Sequence, residues 1–189
     1  MRRFVSRAGE KLDHALSAFA INVRDFVCAD FGANAGGFTD CLLQRGATRV
    51  YAIDTGYGAL DWTLRTDSRV VVMERVNAMH VALPEAVDLV TIDVAWTRQR
   101  HILPAARRAL KPAGSIVTLI KPHYEADPKL LVAGVLPPQA VESVVEAVKE
   151  QIVTAGFRVM GTTTSPILGA KGNAEVLAWL RPSEEAVSP

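Results

Sequence analysis

A glycine-rich turn and five scattered charged side chains are the parts of this chain whose types and spacing fit chemistry. The turn is Asp30-Phe31-Gly32-Ala33-Asn34-Ala35-Gly36-Gly37-Phe38-Thr39-Asp40, which follows an apolar run and opens a helix-like stretch. Strand, glycine turn and helix in that order cradle ligands, because glycine lets the backbone approach a bound molecule closely. Asp54 ends the next apolar run, 24 residues after Asp30. A carboxylate at that place accepts hydrogen bonds from ribose hydroxyls. Together the two features describe a nucleoside site.

The glycine spacing narrows the ligand. It is not G-x-G-x-x-G, since Asn34 stands where a dinucleotide fold needs glycine to admit a pyrophosphate. D-x-G-x-x-x-G-G with a downstream acid suits S-adenosylmethionine, which has a ribose but no phosphate. The competing reading is a tight turn that only packs helix on strand. Asp93 and Lys121 each end a later apolar run, Glu175 begins the last one, and Lys11 lies on the polar side of the first helical stretch. Ligands bind at the carboxyl ends of parallel strands, so two lysines and two carboxylates are expected to ring one point. Singly, Asp93 and Lys121 also read as a surface salt bridge, and Glu175 as an edge-strand charge that blocks aggregation.

These side chains need a scaffold, and the apolar pattern supplies one. Short β-branched runs at Phe26–Phe31, Val50–Ile53, Val70–Met73, Leu89–Ile92 and Ile116–Ile120 are bounded by Gly, Asp or Pro and predict buried strands. Helical periodicity spans Arg7–Ala20, with Arg7, Glu10, Lys11 and Asp13 on its wetter side; further helices are expected at Gly37–Arg45 and at His101–Leu110, the latter stopped by Lys111–Gly114. Alternation of this kind implies a parallel α/β sheet covered on both faces. Pro137-Pro138 opens a helix that Gly156 ends, and Phe157–Thr163 and Glu175–Leu180 then pair as an antiparallel edge hairpin, because the loop Pro166–Asn173 has no room for a crossover helix. The expected organisation is a helical segment over 1–24, one domain over 25–181 and a tail over 182–189.

Several motifs carry a resemblance. Ser6-Arg7-Ala8-Gly9-Glu10-Lys11-Leu12, Gly36-Gly37-Phe38-Thr39-Asp40-Cys41-Leu42-Leu43, Gly56-Tyr57-Gly58-Ala59-Leu60-Asp61-Trp62, Glu74-Arg75-Val76-Asn77, Ile120-Lys121-Pro122 and Lys171-Gly172-Asn173-Ala174-Glu175 resemble the TlyA group of FtsJ-like RNA methyltransferases, in order from Ser6 to Leu180. The resemblance implies a Rossmann-like class I methyltransferase fold with a mostly parallel seven-stranded sheet. It further implies S-adenosylmethionine as donor, 2′-O-methylation of ribosomal RNA, and a catalytic tetrad of Lys11, Asp93, Lys121 and Glu175. A ribose hydroxyl is a weak nucleophile that loses its proton as it attacks, so a positioned base or cation is needed. Lys121 is assigned that role, as base or as electrostatic stabiliser of the alkoxide, with Asp93 and Glu175 orienting it and Lys11 polarising the hydroxyl. The candidate cofactor set is Asp30, Gly32, Ala33, Asn34, Gly36, Gly37, Phe38, Thr39, Asp54, Asn77 and Asp93.

The resemblance departs around the substrate mouth. Members of the group carry a small RNA-binding domain before Ser6, and Met1–Val5 leaves no space for it, so substrate capture is expected to differ, with an accessory RNA-binding protein as a candidate partner. Val94–Arg100 and Leu131–Pro137 differ from the usual pattern, and Met79 stands where arginine is common. Arg98, Arg100, Arg107, Arg108 and Lys111 follow without an acidic residue, and Arg2, Arg3 and Arg7 precede the cleft. Phosphates are expected to dock on such cations; Arg7, Arg98, Arg100 and Lys171 form the candidate substrate-binding set. For the Arg107 and Arg108 pair an ordinary solvated face is an equal reading. Trp62 and Trp96 read first as core or loop anchors and second as base-stacking surfaces. His14, His80, His101 and His123 show no ligand spacing, so no metal is expected.

Composition bounds the partners. The 189 residues are 49% hydrophobic, with Lys+Arg 21 against Asp+Glu 20 and a net charge of +1, which excludes a polyelectrolyte coat and requires any charged partner to meet a local patch. Cys28 and Cys41 alone fit a reducing cytoplasm. No apolar run approaches the ~20 residues of a bilayer span, and Arg7, Glu10 and Lys11 interrupt the amino terminus before a leader develops. Two other readings stay open: methylation of a small hydroxylated metabolite, and a non-catalytic cofactor-binding module.

Overall fold

The computed structural model describes residues 3–183; Arg2 and the tail residues 184–189 lie outside them. β-Branched runs favour extended backbone because branched side chains pack well on a pleated surface. They form β1 (Val27–Phe31), β2 (Arg49–Asp54), β3 (Val70–Glu74), β4 (Val87–Ile92) and β5 (Leu110–Ile120), paired in parallel, then β6 (Phe157–Thr164) and β7 (Val176–Pro182). The helices are α1 (Ala8–Ala18), α2 (Gly37–Gln44), α3 (Trp62–Arg65), α4 (Gln99–Ala109), α5 (Pro122–Glu125) and α6 (Pro138–Thr154). One seven-stranded sheet results, in the order β3-β2-β1-β4-β5-β7-β6, with β7 antiparallel to both neighbours. The expected mostly parallel α/β sheet and its terminal hairpin are both present, with β6 outermost.

Each face of the sheet carries its own core. Leu12 and Leu16 of α1 pack with Phe38 and Leu42 of α2 on one side, and Ile102 and Leu103 of α4 with Val148 and Ile152 of α6 on the other. Each fully buried Leu or Ile contributes about 1.5–3 kcal/mol. Among the described residues no helix is long and apolar enough to cross a membrane.

Strand register sets the functional geometry. Strand order reverses between β1 and β4, the switch point where open α/β sheets bind ligands. Phe31 lies beside Ile53 and Ile92, so the next residues, Gly32, Asp54 and Asp93, leave the sheet side by side. Ile120 lies beside Val176, which brings Lys121 next to Glu175 from an antiparallel strand.

Two boundaries differ from the periodicity. Lys111–Gly114 does not form a separate loop: α4 stops at Ala109 and β5 begins at Leu110, with a register shift between Val87↔Leu110 and Leu89↔Ser115. Pro112 cannot donate to a ladder, so the strand bulges there. At the other end β7 runs to Pro182, and the Ser183 amide bonds the Gly156 carbonyl, so ordered pairing extends past the start expected for the tail.

Candidate active site

The four tetrad residues line a single cavity of about 360 Å³ at the carboxyl ends of β4 and β5. They sit there as two ion pairs. Lys121 Nζ lies 2.7 Å from Asp93 Oδ1 and donates to the Val94 carbonyl at 2.9 Å. Lys11 Nζ lies 2.5 Å from Glu175 Oε2. Lys11 is thus not on the wet side of its helix: its side chain is 11% exposed, drawn inward by a carboxylate 3% exposed. Helical periodicity cannot see a partner 164 residues away. Gly169 closes over Glu175, where a Cβ would lie 2.2 Å from Oε1. Glu175 itself precedes β7, its carbonyl accepting the Ser165 amide.

A second cavity of about 620 Å³ adjoins the first, and the two share Gly32, Asn34, Asp93 and Ala95 as walls. Its lining joins an apolar shelf of Ile53, Ala78, Met79, Val94 and Ile102 to the polar side chains of Asp54 and Asn77. Asp54 accepts the Asn34 amide at 2.8 Å and the Gly56 amide at 2.7 Å, one on each oxygen, and each oxygen keeps a further lone pair. An apolar slot for a base beside a carboxylate for a diol fits a nucleoside, and the lining carries no cationic side chain for a phosphate. Gly32, at φ +88°, is where the exit of β1 meets the end of β4: a Cβ there would stand 2.6 Å from the Asp93 carbonyl.

Not every predicted cofactor residue faces this space. Ala33, Asn34 and Phe38 line the tetrad cavity and Asn77 the nucleoside-shaped one, where its side chain also accepts the Met79 amide. Gly36 and Gly37 instead allow close packing, since Cβ atoms there would meet Leu64 at 2.2 Å and the Ser6 hydroxyl at 2.2 Å. Asp30 and Thr39 are fully buried, the carboxylate accepting from Thr39 at 2.7 Å and Thr91 at 3.1 Å. They brace the turn from within and do not line either cavity, because the alternation of β1 turns the Asp30 side chain into the core.

Burial pushes the Asp30 carboxyl up to about 7; the Thr39 and Thr91 bonds oppose this, and the Asp93 charge adds to it. The unfolded chain gives up this proton near pH 4, whereas the folded protein holds it to about 7. The unfolded state therefore binds fewer protons in that window, and this group's contribution falls as pH rises through it. Stability of Asp30→Asn is expected to decline less than that of wild type over the same window, as read by urea unfolding at several pH values. Parallel profiles would exclude the effect.

The cations divide sharply. Arg7 is exposed and lines the tetrad cavity, whereas Arg98, Arg100 and Lys171 line neither cavity. Lys171 sits at φ +56° with Nζ 3.5 Å from the Ala133 carbonyl. Arg107 donates to the Gly156 carbonyl, Arg108 to the Met79 carbonyl, and Lys111 pairs with Asp88, so these cations of the last turn of α4 and the start of β5 hold structural partners. Trp62 and Trp96 are not core residues, at 72% and 78% exposed; Trp96 meets Tyr124 edge to face. Motif reading passed over His123, Tyr124, Leu168 and Gly169, all on the cavity wall. His123 and Tyr124 had a signal, following Lys121 at the same strand end, but so short a helix as α5 has no readable period. Among the described residues no group of three or more His, Cys, Asp or Glu is placed to hold a metal ion.

Comparison with known proteins bears on this geometry. The family model for FtsJ-like methyltransferases matches residues 4–182. The chain is 43% identical over 186 residues to the 16S/23S rRNA (cytidine-2′-O)-methyltransferase TlyA of Mycobacterium tuberculosis, covering 95% of this chain and 69% of that protein. A solved structure from Streptococcus thermophilus, described as a hemolysin, superposes with a TM-score of 0.93 at 39% identity over 97% of this chain and 69% of its own. For fold alone, an S-adenosylmethionine-dependent methyltransferase structure from Listeria monocytogenes matches with a TM-score of 0.69 at 18% identity, over 95% of this chain and all of that one.

Proposed function

Since this chain belongs to the FtsJ-like methyltransferase family, we propose that it transfers a methyl group from S-adenosylmethionine to a ribose 2′-hydroxyl of RNA, with cytoplasmic ribosomal RNA as acceptor. The observation that carries this reading is the pair of adjoining cavities that meet at Asp93, one shaped for a nucleoside and the other lined by the four charged groups. When bound, the cofactor supplies a sulfonium-activated methyl group. Asp54 would accept from its ribose hydroxyls, Asn77 and the apolar shelf that includes Met79 and Ile102 would hold the base, and Asn34 lies between the two spaces.

On the acceptor side, Lys121 acts as an ammonium. Asp93 and the Val94 carbonyl take two of its donor directions and hold Nζ in place, and the remaining charge stabilises the oxyanion as the hydroxyl oxygen bonds the methyl carbon, the carbon–sulfur bond breaks and the hydroxyl proton passes to solvent. The Lys11–Glu175 pair polarises and orients that hydroxyl from the other wall. Arg7 meets a phosphate at the cavity, with Arg98, Arg100 and Lys171 as outer contacts.

Labelled cofactor offered in parallel with total RNA, intact ribosomal subunits and a metabolite extract tests the acceptor. Label is expected in the ribosomal fraction, in a salt-sensitive manner; label in the metabolite fraction alone would replace RNA by a small alcohol, and label in none would leave a binding module. Asp54→Ala is expected to weaken cofactor affinity roughly 10- to 100-fold, the range for losing hydrogen bonds to a charged group. Calorimetric affinity equal to wild type would remove Asp54 from the cofactor site.

A further inference from the structure

The imidazole of His123 lines the tetrad cavity, and the proposed reaction leaves it unused. His123 follows Lys121 by two residues, is 6% exposed and lines the same wall. Among the described residues its Nδ1 is sealed from solvent with no hydrogen-bond partner, whereas Nε2 is not a buried orphan of that kind. The Tyr124 ring lies 4.2 Å from the imidazole, at an interplanar angle of 44°, which holds the ring plane.

Buried polar groups are nearly always paired, and orphaned N–H donors are rarer than orphaned acceptors. A proton on Nδ1 would be such an orphan, so the tautomer with the proton on Nε2 is favoured. Burial, and secondarily the Lys121 ammonium, hold the imidazole below its ordinary pKa, so the ring is neutral at neutral pH. Arg7, Lys11 and Lys121 already supply the cations of this cavity, Lys11 and Lys121 each paired with a carboxylate, Glu175 and Asp93. A neutral donor among them suits a neutral acceptor.

We propose that His123 is a specificity-determining contact, its Nε2–H donating to an uncharged base or sugar oxygen of the nucleotide whose 2′-hydroxyl meets Lys121. The inference rests on reading this cavity as the acceptor side. His123→Phe keeps an aromatic ring against Tyr124 and removes both nitrogens, whereas His123→Gln restores a donor. With purified ribosomal subunits as methyl acceptor, the Phe variant is expected to raise KM about tenfold, the scale of one neutral hydrogen bond. Its kcat stays within about threefold, its cofactor affinity is unchanged, and the slope of log KM against log salt stays that of wild type. The Gln variant recovers most of the KM. An unaltered KM in the Phe variant, or a shallower salt slope marking a phosphate contact, overturns the proposal.

Nitrogen NMR of the wild-type ring provides a reading that needs no variant: Nε2 carries the proton and its resonance moves when subunits are added. A ring protonated on Nδ1, or indifferent to the subunits, counts against the contact. Lys121→Ala separates the two levels of failure. Undiminished transfer in that variant removes the underlying reading, while lost transfer there with an unchanged KM in His123→Phe removes the His123 contact alone.

Discussion

Methyl transfer by Lys121→Ala is expected to fall by on the order of 10³-fold, the loss typical of removing a group aimed at developing transition-state charge. Cofactor affinity is expected to stay within about threefold of wild type, because the nucleoside-shaped cavity is built from the ends of β1, β2, β3 and β4 with Ile102 of α4, and does not include Lys121. The split is the point of the experiment: a structural lysine would lower binding and transfer together through lost stability. Lys121→Arg is not expected to rescue, since a planar guanidinium cannot hold a compact point charge between Asp93 and the Val94 carbonyl. Labelled-methyl kinetics beside calorimetry of the cofactor decides the matter, and transfer within tenfold of wild type would refute the assignment.

Breaking the Lys11–Glu175 pair has the larger effect on the fold. Glu175→Ala leaves a lysine that is 11% exposed without its counter-charge, and loss of one partner of a buried pair costs about 3–5 kcal/mol. At about 2–4 °C per kcal/mol for a chain of this size, the melting temperature is expected to fall by roughly 6–20 °C, with transfer abolished. Replacing both partners, Lys11→Met with Glu175→Leu, is expected to restore most of the stability and none of the transfer. Apolar groups of similar volume often substitute for a buried pair without loss, but they offer the hydroxyl nothing. Thermal denaturation beside labelled transfer reads both quantities. An active double variant would reduce the pair to a structural brace.

Much of this architecture is written locally. Val70–Met73 and Ile116–Ile120 are legible as strands because β-branched side chains restrict the backbone wherever they occur, and Gly46 and Gly156, at φ +97° and +83°, end their helices by adopting a conformation other residues avoid. The same locality explains the misreadings. Lys11 looks wet on a helical wheel, Arg107 and Arg108 read equally as a docking or a solvated face, and Asp30 and Thr39 look like part of a ligand cradle. Each found its partner elsewhere in the chain: Glu175, the Gly156 and Met79 carbonyls, and the Asp30–Thr39–Thr91 bonds. Trp96 erred the other way, an aromatic side chain left on the surface.

Short-range chemistry was therefore enough to give the alternation of strands and helices, the glycine turn, and the rank of Asp54, Asp93 and Lys121 at strand ends, because backbone preference and apolar period act over a few residues. Folding in three dimensions chose which charge neutralises which, turned Asp30 inward, and set His123 on the wall of the tetrad cavity. Those outcomes depend on the register of Ile120 against Val176 and of Phe31 against Ile92, and register is a sum of packing across strands remote in the chain that no single segment encodes.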